Sequence, residues 1–298
     1  MIRVSPLVLL SACLYAAGAH AHAATAAAGV DVDMAAQIYQ AAAVREQVRA
    51  SLVSMPNKLR AMFATDSGAK LSDKQLDAVT AAAVRGFRID VFEPPALVAL
   101  AANLDANAVK RSLQFLATDL GRRMVAADVA IAQLDEGTID KIMSGDITAP
   151  SNPQRDLLVK DLEAAAQSTD SAVKIYINIG RSLAFGTAVG GGMDPVAADE
   201  RARKSIDAGA QETMAHSMQA PLRRYMAYGY RDLSDADLKG LLAFLNSTAG
   251  KRYVAAYNAA MNAGFDAMGR RCGEQIGESW RELALVQPAE QPPAAIAP

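Results

Sequence analysis

The chain has 298 residues, with 30 Lys+Arg against 32 Asp+Glu, so its formal charge is near −2. That balance excludes the basic excess that nucleic-acid binders use to neutralise phosphates, and no nucleic-acid partner is expected. Hydrophobic residues make up 51% of the chain, which excludes wholesale disorder. Alanine supplies 63 of them, and alanine favours helix while burying little area, so close-packed helices are expected.

The first residues read as an export signal. Arg3 supplies a short positive region, and Val4 to Ala19 is apolar apart from Ser5, Pro6, Ser11 and Gly18. Ala21-His22-Ala23 follows, small-polar-small, which predicts a signal peptide over 1–23, cleaved after Ala23, and a periplasmic destination. The apolar run of about 16 residues contains a proline and falls short of the ~20 that span a bilayer. No later stretch is apolar enough to stop transfer, so no transmembrane helix is expected in the mature chain. Leu10-Ser11-Ala12-Cys13 offers an alternative, because it looks like a lipobox in which Cys13 becomes the lipidated first residue. Against a lipid anchor stand the short apolar part before Cys13 and the apolar stretch after it.

Removing those 23 residues leaves 275 of the 298, with one cysteine, Cys272, and one histidine, His216. No internal disulfide can form, and zinc sites of several Cys or His ligands are excluded. A Cys–His catalytic pair could only be Cys272 with His216. Neither Arg270-Arg271-Cys272-Gly273 nor Met214-Ala215-His216-Ser217 resembles a nucleophile motif.

Helices follow one another along the mature chain. Val48, Leu52, Met55, Leu59 and Met62 recur at steps of four and three, with Pro56 expected to kink or split the run. Ser67-Gly68 and Lys70 mark a loop. Ser72 then caps a helix, Gln75 reaches back as a capping box, and Leu71 can staple on Leu76. Glu93-Pro94-Pro95 predicts a break. Turn formers from Ser144-Gly145-Asp146 to Pro150-Ser151-Asn152-Pro153 mark the best boundary, and Leu157, Leu158 and Leu162 anchor the helix after it. Ile175, Ile177 and Ile179 alternate as in a strand, but an isolated strand has nothing to pair with, so helix is predicted. Gly186 to Gly192 is expected to be a hinge or helix stop. It is not a phosphate loop, because no Lys-Ser/Thr follows. Asp194 as cap and Pro195 in the first turn open the next helix. The Pro/Ala/Gln-rich tail, 287–298, is expected to be disordered.

The chain also resembles itself. At an offset of 129, Leu104 to Ala127 superposes on Leu233 to Ala256 without a gap, with ten of 24 positions identical. Each copy reads as helix, tight turn, helix. Asp105 or Ser234 caps the first helix, with Leu104 stapling to Val109 or Leu233 to Leu238. Thr118 or Ser247 caps the second helix, and Gly121 or Gly250 stands in its first turn. Such a glycine costs about 1 kcal/mol relative to alanine unless close packing requires it. The basic pairs Arg122-Arg123 and Lys251-Arg252 could grip an anion, or could pair with nearby aspartates.

The segment Leu233-Ser234-Asp235-Ala236-Asp237-Leu238-Lys239-Gly240-Leu241-Leu242-Ala243-Phe244-Leu245-Asn246-Ser247-Thr248-Ala249-Gly250-Lys251 resembles the core of the bacterial domain of unknown function family 2059. The resemblance covers Met214 to Ala267 and, more weakly, Pro95 to Ala130. It departs at Thr248, where the family often has Pro. It implies an exported helical protein and no catalytic residues.

Other candidate chemistry is thin. Glu274, Glu278 and Glu282 line one helical stripe, but general acid/base work needs two facing carboxyls and a di-metal bundle needs Glu-x-x-His. Arg223-Arg224-Tyr225-Met226-Ala227-Tyr228-Gly229-Tyr230-Arg231 reads as a helix that packs its rings inward, or as a contact surface.

The expectation is therefore an all-α bundle of two diverged helical repeats, 24–145 and 155–286, joined by a linker at 146–154. No catalytic set, metal or cofactor is expected. The leading function is a non-enzymatic binding module for an envelope protein or peptide. The alternatives are a carrier of an apolar small molecule or lipid, suggested by adaptable Met-rich helices, and an envelope hydrolase with unpaired carboxylates.

Overall fold

The computed structural model describes residues 29–66, 71–204 and 210–286. Among these residues the protein is all-α, with fourteen helices and no strand. In chain order they are α1 (Val32–Ala41), α2 (Val44–Leu52), α3 (Met55–Asp66), α4 (Asp73–Gly86), α5 (Ile89–Asn103), α6 (Ala106–Leu116) and α7 (Asp119–Ala132). Then come α8 (Glu136–Ser144), α9 (Pro153–Ala166), α10 (Ser168–Gly190), α11 (Pro195–Lys204), α12 (Ala210–Gly229), α13 (Asp235–Asn246) and α14 (Thr248–Val286). The signal peptide ending at Ala23, Cys13, the loop at Ser67-Gly68 and Lys70, and the tail from Gln287 lie outside the described residues.

Polar side chains start helices where the sequence places them. The Ser72 hydroxyl accepts from the Gln75 amide, and Gln75 Oε1 accepts from the Ser72 amide at 2.9 Å, closing the capping box of α4. Asp194 accepts from the amides of Val196 and Ala197 at the start of α11. Asn152 caps α9, whose first turn holds Pro153. Pro56 lies in the first turn of α3, so the apolar run from Val48 to Met62 is split between α2 and α3.

Pro94 and Pro95 require a correction. No break occurs at Glu93-Pro94-Pro95, because α5 runs from Ile89 to Asn103 with both prolines inside it. Their missing amides free the carbonyls of Asp90 and Val91, close to an end of the helix where Asp90 is exposed. The apolar face then holds α5 in place. Phe92 is fully buried, edge-on to Phe265 of α14 with ring centroids 5.4 Å apart.

The 39 residues of α14 organise the core, packing on α10 and also on α4, α5 and α6. Helices α10 and α14 run parallel: Asn178 bonds Asn262 at 2.9 Å and Ser182 bonds Asp266, both pairs separated by the same 84 residues. Further along, glycines replace side chains. A Cβ on Gly186 would lie 2.8 Å from Glu274 N, and one on Gly273 2.8 Å from Thr187 N. Only glycine permits that approach. Gly186 is therefore a packing residue inside α10, and the hinge or helix stop expected over Gly186 to Gly192 is a helix stop at its far end, where α10 gives way to a turn at Gly191 and Gly192, the latter with φ +97°. Ile175, Ile177 and Ile179 all lie in α10.

The two helix corners share their local chemistry. Thr118 and Ser247 accept from the amides of Gly121 and Gly250, each at 3.0 Å, and so cap α7 and α14. A Cβ on Gly121 would lie 2.7 Å from Leu116 Cα, and one on Gly250 2.8 Å from Leu245 Cα. Close packing explains both glycines.

Candidate functional site

The sequence candidates are dispersed. His216 is exposed on α12, whereas Cys272 is fully buried on α14, where a Cβ added to Gly86 of α4 would lie 2.5 Å from its Cα. Burial pushes the Cys272 thiol up to about 12, the opposite of what a nucleophile needs. Glu278 and Glu282 are exposed and Glu274 is half-buried, 3.5 Å from Arg271. The basic pairs face aspartates. Arg123 bonds both oxygens of Asp237 at 2.8 and 2.7 Å and Asp119 at 2.9 Å, and Arg252 lies 3.8 Å from Asp105. The Arg123 guanidinium, with the Ser234 bonds second, holds the Asp237 carboxyl well below the usual carboxylate range. In the basic-aromatic stretch, Tyr225 and Tyr230 are buried, their hydroxyls donating to Ile131 O at 3.2 Å and Asp128 Oδ1 at 3.0 Å. Arg231 lies over the Tyr228 ring at 4.2 Å.

Three buried charged residues were not among the sequence candidates. Asp128 on α7 is 3% exposed, and burial pushes its carboxyl up to about 8 against the opposing pull of the Tyr230 bond. Arg155 on α9 donates to Tyr230 O at 2.6 Å, Leu233 O at 2.9 Å and Asp235 Oδ1 at 3.0 Å, fastening the turn between α12 and α13. Glu163, also on α9, is the third. A signal existed for two of them. Asp128 stands four after Met124 and three before Ile131, and Glu163 stands four after Val159 and three before Ala166. Each is a carboxylate on an apolar stripe.

Glu163 forms the floor of an open groove of about 510 Å³ between α9, the start of α10 and α12. The register is antiparallel, because Arg155 meets Tyr230 while Glu163 meets Arg223. Glu163 accepts from Thr169 Oγ1 at 2.7 Å and from Arg223 Nη2 at 2.9 Å. Arg223 stays one third exposed, and its Nε is buried with no acceptor. Lys160, Gln167, Asp170, Glu212, His216 and Gln219 complete the walls. Gln167 alone joins α9 to α10 with φ +48°, and Ala42 with Ala43, the latter at φ +50°, joins α1 to α2, so a left-handed residue takes the place of a long loop at both junctions. A second cleft of about 400 Å³, beside Arg49 and Phe87, holds Arg88 and Asp90 already bonded to each other. Among the described residues no group of three or more His, Cys, Asp or Glu could hold a metal ion.

Fold and groove together define an all-α protein with a charged groove between antiparallel helices. Residues 226–278, from the end of α12 through α13 into α14, match a family described as an uncharacterized protein conserved in bacteria (DUF2059). The match covers the Ser234–Asp237 cap, Phe244 and the Ser247–Gly250 corner, as the resemblance implied. No curated protein and no solved structure matches the chain.

Proposed function

We propose that the protein is an exported, non-enzymatic helical binding module that engages a protein or peptide partner in the periplasm. The observation that carries this reading is the α9–α12 groove, where charged and amide side chains of both helices face a common space around the buried Glu163–Arg223 pair. Recognition needs such convergent polar groups, and chemistry would need more. The two buried carboxylates are bonded to Tyr230 and Arg223, not to each other, which gives the hydrolase alternative no support. The carrier alternative gains none from the methionines, since Met218, Met226, Met261 and Met268 belong to the packed core.

Export rests on the N-terminal sequence. No helix among the described residues is long and apolar enough to cross a membrane. Mass spectrometry of the protein taken from the cell envelope tests both parts. The denatured mass is expected to start at Ala24, and the native mass to carry a second polypeptide. A retained leader, or a lipidated Cys13, overturns the soluble periplasmic reading. A native adduct that is a lipid or other apolar molecule overturns the binding-module reading in favour of the carrier.

A further inference from the structure

The groove has a direction, and its direction fits a ligand. On α12, Glu212, His216, Gln219 and Arg223 recur at steps of four, three and four, so they line one face. Glu212 and Arg223 therefore stand about 16 Å apart along the axis. Lys160 lies on α9 one turn before Glu163, the partner of Arg223, so two cations gather at that end. Glu212 marks the other end, and Asp170 follows Thr169 at the start of α10. Gln167 and Gln219 supply amides on both walls. Glu163 takes one guanidinium nitrogen, and the exposed part of Arg223 faces the groove.

Resting on the binding-module reading, we propose that this groove binds a short zwitterionic peptide, with its terminal carboxylate at Lys160 and Arg223 and its ammonium group at Glu212. An extended residue advances about 3.3 Å, so about five residues match the distance between the charged ends. The two glutamines can pair with the peptide amides between them, as each offers a donor and an acceptor. An apolar ligand would strip water from these charges without replacing their bonds. A purely anionic ligand would face Asp170 and Glu212, and the mixed walls disfavour it.

Calorimetry on the purified chain with penta-alanine tests this, using the free peptide, its N-acetylated form, its C-amidated form and the doubly blocked form. The free peptide is expected to bind saturably, and blocking either end to weaken binding by about tenfold or more, the scale of a lost charge-assisted bond. Lys160→Ala is expected to weaken the free peptide and leave the amidated one unchanged. Glu212→Gln is expected to do the same for the acetylated pair. Both residues are exposed, so both variants keep the fold. Equal affinity for all four peptides, or no saturable binding by any at millimolar concentration, overturns the proposal. If a co-isolated envelope partner then binds both variants undiminished, the binding-module reading survives on another surface. If no partner is co-isolated either, that reading falls with it.

Discussion

Phe115 and Phe244 stack face to face, with ring centroids 3.9 Å apart and planes 2° from parallel. They are the residues that the self-alignment at an offset of 129 superposes on each other. Ion pairs flank the stack from both corners, Arg123 reaching Asp237 and Arg252 lying 3.8 Å from Asp105, but the aspartates are not aligned positions, since Asp237 falls opposite Ala108 and Asp105 opposite Ser234 in the self-alignment.

The stack and the bidentate pair should contribute separately to stability. Phe115→Ala and Phe244→Ala are each expected to cost about 2–4 kcal/mol, given partial burial, and the double variant less than their sum by about 1 kcal/mol. Urea unfolding of the four proteins measures the coupling. Strict additivity would show that the rings do not depend on each other.

Stability should fall as pH rises from about 4 to about 8. The Asp128 carboxyl sits at about 8 when folded, above its ordinary value, so across that range the folded state holds a proton that the unfolded chain has lost. Each pH unit then costs at most about 1.4 kcal/mol, and the decline levels off above about 8. Asp237 acts with the opposite sign, because its carboxyl is held low: its contribution is present above about 4 and lost as pH falls. Asp128→Asn keeps an oxygen for Tyr230 and removes the proton, so its melting temperature should be flat between pH 5 and pH 8, where the wild type declines. A wild-type curve that is itself flat there would refute the assignment.

Glycines within one helix should respond in opposite directions. At Gly180 of α10 an added Cβ meets nothing within 4 Å, so Gly180→Ala should stabilise by up to about 1 kcal/mol through helix propensity. Gly186→Ala, on the face against α14, should cost about 1–3 kcal/mol or more, because backbone rather than a flexible side chain stands in the way. Thermal melts of the two variants decide the matter.

Cys272 should resist thiol reagents while the protein is folded, since its thiol is buried and pushed up to about 12. Its labelling rate should follow global unfolding and rise steeply with denaturant. Stoichiometric labelling within minutes in native buffer would contradict this.

Local signals were the legible part of the fold. The Ser72–Gln75 box, the Thr118 and Ser247 caps, Asp194 with Pro195 and the split at Pro56 all depend on residues within a turn of one another. What sequence reading missed depends on partners far along the chain. Pro94 and Pro95 suggest a break locally, yet α5 runs through them with Phe92 buried beside Phe265 and Ala96, Leu100 and Ala101 buried beyond. Gly186 looks like a hinge until Glu274 is known to face it. In the candidate site, His216 was weighed only as a partner for Cys272 and Arg223 only as part of a ring-packing or contact helix, and Glu163 and Thr169, which organise the groove, were passed over. Their bond joins two helices across a left-handed residue, and no short motif announces that.

Helix α14 is made after every helix it covers. Until its glycine face emerges, α10 has no parallel partner and α4 and α5 have an open apolar side. The core therefore cannot close around a nascent chain until α14 has been made, and folding is deferred to that point.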